Sequence, residues 1–120
     1  MQLKNLSKKT ILCLDLKEAK SAADKFFGLL IKTNPRALIF KTRFGIHTFF
    51  LKKPIDVLVL NAANEVVKAQ TVKPNWIFVY DPKYLTVIEL PQGTIKDTKT
   101  KVGDRLQIKT NQSRADRQKR

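Results

Sequence analysis

The sequence predicts a single mainly β domain, a compact antiparallel barrel or sandwich of about seven or eight short strands with one short N-terminal helix. Three observations favour this class. The length of 120 residues allows one domain. The hydrophobic fraction of 42% is that of an ordinary globular protein. After Pro35, short apolar segments separated by turn residues replace the single helical pattern of the chain.

The helix is predicted over residues 17–30, after a first strand at residues 10–14. Its apolar residues follow a spacing of three and four, which places them on one helical face: Ala19, Ala22, Ala23, Phe26, Phe27 and Leu30. Asp15 can cap the helix, with Glu18 three positions later as in a capping box. Asn34 and Pro35 end the connection that follows.

The strands after Pro35 are predicted from their content of β-branched and aromatic residues and from the turns between them. They cover residues 37–40, 46–51, 55–60, 65–72, 76–80, 84–90 and 105–109. Residues 55–60 are apolar at every position except Asp56, so they predict a central strand that is buried on both faces. Residues 61–64 have the composition of a hairpin turn, so residues 65–72 are expected to pair back.

Several classes of functional site are excluded because cysteine and histidine each occur only once in the sequence. One cysteine, Cys13, excludes an internal disulfide and a multi-cysteine zinc site. One histidine, His47, excludes every site that needs two. No apolar run reaches the roughly 18 residues of a membrane span, and the N-terminus lacks the pattern of a secretory signal. We therefore expect a cytoplasmic protein without membrane insertion, and we predict no metal and no cofactor.

The net charge of +14 favours polyanionic partners such as RNA. It is dominated by lysine and spread along the chain, and such a diffuse excess is more often a solubility feature or the compositional bias of a whole proteome. Residues 1–109 are predicted to form the domain and residues 110–120 a disordered basic tail. The candidate polyanion-binding residues are Lys109, Arg114, Arg117, Lys119 and Arg120.

A rival site on the folded domain would use Lys41, Arg43, Lys52 and Lys53 around a stacking aromatic ring. Trp76 is the aromatic residue expected to be partly exposed.

Polar residues inside apolar strands give a candidate ligand pocket: His47, Thr48, Asp56 and Glu89. A carboxylate on a buried face must be paired or hydrogen-bonded. The leading interpretation is a non-enzymatic ligand-binding or partner-binding module. A basic protein associated with RNA or other polyanions is the first alternative, and a hydrolase-like enzyme that uses a His/carboxylate pocket is the second. Purely local hydrogen bonding of each carboxylate also remains open. Gly93, Gly103 and Asp104 are predicted to be structural turn residues.

Three runs of residues together resemble a known family, the domain-of-unknown-function 192 family. They are Ile46–Val57, which contains His-Thr-Phe-Phe and Pro-Ile-Asp, then Val87–Ile95 with Glu-Leu-Pro and Gly, then the turn Val102–Asp104. The resemblance covers about residues 19–108. Leu51 stands where the family usually has methionine, and Gln92 where a small residue is usual. The resemblance implies a small, mostly antiparallel β-barrel or sandwich and implies no activity.

Overall fold

The structure is a computed structural model, and it describes residues 1–18, 37–43, 45–48 and 51–110. These ranges contain ten strands and one helix. The strands are β1 (Gln2–Asn5), β2 (Thr10–Cys13), β3 (Lys17–Glu18), β4 (Leu38–Lys41), β5 (Ile46–His47), β6 (Ile55–Leu60), β7 (Val66–Val72), β8 (Ile77–Phe78), β9 (Thr86–Pro91) and β10 (Leu106–Lys109). The helix, α1 (Thr94–Thr98), lies between β9 and β10.

The described strands form three sheets. The largest has the order β3-β4-β9-β6-β7, and a three-stranded sheet has the order β10-β1-β2. β5 and β8 form a two-stranded ribbon, hereafter the ribbon. All pairs are antiparallel except β3 with β4. The mainly β class is therefore confirmed, whereas none of these sheets closes into the predicted barrel.

The central strand β6 is buried along its whole length, as its apolar sequence predicts. Successive side chains point to opposite faces. Leu58 and Leu60 pack in one cluster with residues of the three-stranded sheet and with the helix. Val57 and Val59 pack in a second cluster with residues of the ribbon. The five-stranded sheet therefore carries the three-stranded sheet and helix on one face and the ribbon on the other.

The predicted N-terminal helix over residues 17–30 is not matched by the described residues. Lys17 and Glu18 form β3, which pairs in parallel with Leu38 and Ile39 of β4, and residues 19–30 lie outside the described residues. The helix that is described lies near the C-terminus, at Thr94–Thr98. Five residues are too few to show a helical period in the sequence.

Two strands at the N-terminal end escaped the sequence pattern. β1 is four residues long, with Leu3 and Asn5 buried and Gln2 and Lys4 partly exposed. β3 has only two residues. In β1 a polar residue, Asn5, fills a core position, so the apolar alternation that indicates a strand is missing. The described part of the chain therefore has ten strands where about seven or eight are expected.

A buried polar clasp joins the two ends of the domain. Asp104 Oδ2 accepts hydrogen bonds from Asn5 Nδ2 at 2.9 Å, from the Lys101 N–H at 2.9 Å and from Lys8 Nζ at 2.9 Å. Asn5 also donates to Thr100 Oγ1 at 3.1 Å. Burial by itself raises the pKa of Asp104, but the hydrogen bonds from Lys8, Asn5 and Lys101, with the charge of Lys8, outweigh it and hold the pKa below its ordinary value. The clasp thus fixes the turn before β10 against β1.

The ribbon depends on a glycine at its entry. Gly45 has a φ of +83°, which L-residues with side chains rarely adopt. A Cβ there would lie 2.7 Å from the Phe78 carbonyl oxygen. Because that oxygen belongs to the backbone of β8, it cannot give way without disturbing the β5–β8 pairing. Gly103 has a similar φ of +97° but nothing within 4 Å of its Cβ position.

The clasp generates a prediction on acid stability. Asp104→Asn should lower the free energy of unfolding at neutral pH by about 1–3 kcal/mol, because the amide loses the charge-assisted bond from Lys8. The folded state lowers the pKa of Asp104, so this stabilisation is complete above the ordinary aspartate value of 3.8 and is lost as the pH falls through the folded value. Urea denaturation should show the two proteins converging in acid.

The exposed Asp97 provides the control for that measurement. Asp97→Asn should change the free energy of unfolding by less than about 0.5 kcal/mol. A difference between wild type and Asp104→Asn that stays constant from neutral to acid pH would contradict the clasp.

The two glycines generate a second prediction. Gly103→Ala should lower the free energy of unfolding by about 1–2 kcal/mol through backbone strain alone. Gly45→Ala should lower it by at least about 1 kcal/mol more, because the added methyl group also clashes with the Phe78 carbonyl. Denaturation curves of both variants measure the difference, and equal losses would show that the contact at Phe78 is unimportant.

Candidate functional site

The sheet register separates the two candidate carboxylates. Residues directly opposite each other on paired strands share a face. Asp56 lies opposite Leu90, and Glu89 lies opposite Val57, on the paired strands β6 and β9. Because Asp56 and Val57 point to opposite faces, Asp56 and Glu89 do so as well. Asp56 lies on the face that carries the helix, and Glu89 on the face that carries the ribbon.

Asp56 makes local hydrogen bonds within the fold. It is fully buried. Its Oδ1 accepts from Thr71 Oγ1 at 2.7 Å across the β6–β7 pair, and its Oδ2 accepts from the Ile95 N–H at 2.8 Å in the first turn of α1. The carboxylate therefore anchors the helix on the sheet. Glu89 is 1% exposed and lies between Val57 of β6 and Leu38 of β4.

Thr48 fixes the loop that precedes β8. Its side chain is buried, and its Oγ1 donates to the Lys73 carbonyl at 2.6 Å and accepts from the Trp76 N–H at 2.9 Å. The Thr48 carbonyl also accepts from Asn75 N–H at 2.9 Å. Asn75 has a left-handed φ of 58°, which asparagine tolerates better than most residues. Thr48 is thus a positioning residue for the loop that ends at Trp76.

His47 and the residues opposite it form an exposed face. His47 pairs with Ile77, and both side chains are exposed, whereas the next pair, Ile46 and Phe78, is buried in the second cluster. Trp76 is 48% exposed, Ile77 60% and Val79 62%. The partial exposure predicted for Trp76 is therefore confirmed. The four candidate pocket residues do not share one face: the His47 side chain lies at this apolar surface, whereas the side chain of the neighbouring Thr48 is buried.

Cations border these side chains. Lys73 Nζ lies 4.0 Å from the centroid of the Trp76 ring, in a cation–π contact. Lys52 and Lys53 are exposed and follow Leu51, whose N–H donates to the Thr48 carbonyl at 3.3 Å. At the other end of the ribbon, Arg43 donates to the Pro82 carbonyl at 3.0 Å. We call the following set the ribbon surface: Arg43, His47, Lys52, Lys53, Lys73, Trp76, Ile77 and Val79.

The Arg43 end of the ribbon is held by a further contact. The Tyr80 hydroxyl donates to the Thr42 carbonyl, and the Tyr80 ring packs at 5.9 Å from the Phe78 ring. Lys68 Nζ donates to the Val79 carbonyl at 2.7 Å and lies 4.8 Å from the centroid of the Phe78 ring. The backbone on which Ile77 and Val79 are displayed is therefore tied to neighbouring elements at several points.

The remaining candidate residues are distributed over the molecule. Gly93 and Gly103 have positive φ values, and the Asp104 N–H donates to the Lys101 carbonyl at 3.0 Å. Lys109 lies in β10, opposite Gln2. Arg114, Arg117, Lys119 and Arg120 lie outside the described residues, as does most of the tail predicted over 110–120. Lys41 is exposed at the end of β4.

No helix among the described residues is long and apolar enough to cross a membrane. In the same part of the chain, no three His, Cys, Asp or Glu side chains are grouped so that they could hold a metal ion.

The sequence predicts a strand over residues 76–80 but does not indicate that Ile77 and Val79 are exposed. The alternation in Trp76–Tyr80 places Ile77 and Val79 on one face and Phe78 on the other. It does not say which face is buried. The signal that was available is the neighbouring charge, since a strand flanked by lysines on both sides in sequence is often partly exposed.

Comparison with known proteins identifies relatives over most of the chain. The model of the family DUF192, described as "Uncharacterized ACR", matches residues 3–108. A UPF0127 protein of Pyrococcus abyssi is 39% identical over 95 residues, which cover 71% of this chain and 81% of the relative. A UPF0127 protein of Pyrococcus furiosus is 33% identical over 111 residues, 86% of this chain and 94% of the relative.

Two solved structures share the fold. One is a Sinorhizobium meliloti protein described as a proposed transcription regulator, with a TM-score of 0.67 and 19% identity, covering 88% of this chain and 89% of that one. The other is a Novosphingobium aromaticivorans protein of unknown function, with a TM-score of 0.64 and 15% identity, covering 89% and 82%. At these identities the likeness concerns the fold alone.

Thr48 generates a prediction on the site. Thr48→Val keeps the shape of the side chain but removes the hydroxyl that bonds to the Lys73 carbonyl and the Trp76 N–H. It should therefore lower the free energy of unfolding by about 1–3 kcal/mol. Trp76 emission should shift to the red as the loop loosens. Thr48→Ser keeps the hydroxyl and should retain the wild-type emission. A valine variant with unchanged emission would contradict the positioning role of Thr48.

Proposed function

The chain belongs to the DUF192 family, and we propose that it is a non-enzymatic binding module that holds a polyanionic partner on the ribbon surface. One observation carries this proposal. Exposed aromatic and aliphatic side chains lie there among cations, and the two segments that build the surface contain no acidic residue. Residues 41–53 and 66–80 carry six lysines and arginines and neither Asp nor Glu.

No salt bridge within the described part of the chain neutralises the cations of these segments. Among the described residues, the salt bridges link Lys8 with Asp104, Lys17 with Asp15, and Lys83 with Asp81. The cations of the ribbon surface are not among them. Binding of phosphate groups to clustered cations is favourable because counterions are released. A polyanion is therefore the class of partner that this surface favours.

Binding is better supported than catalysis at this surface. General acid–base chemistry pairs a histidine with a carboxylate. The two segments that build the ribbon surface supply His47 but no acid. Asp56 anchors α1 on the opposite face of the sheet through Ile95. Glu89 lies on the face that carries the ribbon but is buried, whereas the His47 side chain is exposed. A His/carboxylate pocket that joins His47 with Asp56 therefore has no support from the sheet register.

The basic tail belongs to the same proposal as a second contact. It contributes Arg114, Arg117, Lys119 and Arg120 against the single Asp116. Such a segment meets phosphates without a defined groove, so its share of the affinity depends on ionic strength and hardly on the identity of the polyanion. Truncation after Thr110 separates the share of the tail from that of the folded surface.

Binding of inorganic polyphosphate over a range of salt concentrations tests the proposal. With about four phosphates neutralised, log K should fall against log salt with a slope near −3 to −4. Lys52→Ala with Lys53→Ala should reduce the magnitude of that slope by about 1–2. Lys96→Ala with Lys101→Ala is the matched control, because both lysines are exposed and lie on the opposite face, Lys96 in α1 and Lys101 shortly after its end.

The two pairs of substitutions remove the same charge, so equal effects would show a diffuse attraction and contradict a site on the ribbon surface. Loss of all binding on truncation after Thr110 would assign the interaction to the tail and contradict the proposal in the same way.

A further inference from the structure

The chemistry of the ribbon surface is more specific than positive charge. Trp76 presents an indole ring that is 48% exposed, on a loop whose backbone is held by the buried Thr48. A flat aromatic ring on a fixed loop is a platform on which a planar group can stack. Polyphosphate offers no such group, whereas a nucleic acid offers a base beside every phosphate.

The arrangement of charge is extended. Arg43 lies at one end of the ribbon, and Lys52, Lys53 and Lys73 lie at the end that carries Trp76. Between them Ile77 and Val79 expose aliphatic surface. Cations at both ends of the ribbon, with aromatic and aliphatic surface between them, match a single strand whose phosphates contact the cations and whose bases turn toward the protein. In a duplex the bases are stacked on each other and cannot reach the ring.

From this arrangement we infer that the partner is a single-stranded nucleic acid and that one of its bases stacks on Trp76. The inference rests on the proposed function and adds to it the base-recognising group. Lys73 supports the ring from one side through its ammonium group, 4.0 Å from the ring centroid. Because every base has a π face, this contact favours single strands over duplexes and selects little among sequences.

The chain contains a single tryptophan, so its emission reports on this ring alone. The probes are an oligouridylate, a duplex RNA and inorganic polyphosphate, each titrated into the full chain at the same low salt. Stacking predicts that the oligouridylate quenches the emission strongly and that polyphosphate, which binds through charge only, leaves it nearly unchanged. The duplex should bind without comparable quenching.

Substitution of the ring gives an independent measurement. Trp76→Ala should weaken oligouridylate binding about tenfold and leave polyphosphate binding unchanged. Trp76→Phe should recover most of the affinity, because a phenyl ring can still stack. Trp76 belongs to neither buried cluster, so both variants should fold, which circular dichroism checks. Val102→Ala, at another exposed aliphatic residue, is the control and should leave binding unchanged.

The possible failures are distinguishable. If Trp76→Ala weakens neither ligand while the Lys52 and Lys53 substitutions weaken both, the stacking inference is overturned and the polyanion-binding function stands. If the Lys52 and Lys53 substitutions change the binding of neither polyphosphate nor oligouridylate, both the stacking inference and the polyanion-binding function are overturned. Binding to phosphatidylserine vesicles with a blue shift of the emission, and no response to oligouridylate, would replace the nucleic acid by a lipid surface and overturn the inference.

Discussion

Burial of β6 on both faces is the constraint on which the rest of the structure depends. A strand of six residues with every side chain buried needs a covering layer on each side of its sheet. The three-stranded sheet and the helix supply one layer, through residues such as Leu3 and Ile95. The ribbon supplies the other through Ile46 and Phe78. The ribbon is therefore part of the core on its inner side, and its outer side becomes a surface with a fixed position.

Polar groups that lie inside this arrangement connect its layers. Asp56 joins the sheet to the helix through the Ile95 N–H, and Asp104 joins the C-terminal turn to Asn5 and Lys8 near the N-terminus. A buried carboxylate is costly unless several donors meet it, so each of these groups also specifies which elements must come together. Both carboxylates act in the fold through contacts between residues that are far apart in the sequence.

Sequence patterns were most informative where a single period extends over several residues. They located β6, the turn at residues 61–64 and the return strand β7, because a doubly buried strand is continuously apolar and a hairpin is a local structure. They did not reveal the clasp, since Asn5 and Asp104 are separated by 99 positions. Nor could they place Asp56 and Glu89 on opposite faces. That result depends on the pairing of β6 with β9, which no local pattern encodes.

The outer side of the ribbon is where folding alone explains the residues least. A two-stranded ribbon is marginal by itself, and this one is stabilised from its inner side by Ile46 and Phe78 and by the hydrogen bonds of Thr48. Polar residues at positions 77 and 79 would serve the fold as well. Single exposed aliphatic residues are common on proteins, but Trp76, Ile77 and Val79 are close neighbours in one short segment and lie beside several cations. A surface of this kind costs solubility unless a partner covers it, and the cations beside it are the ones on which the proposed polyanion-binding function rests.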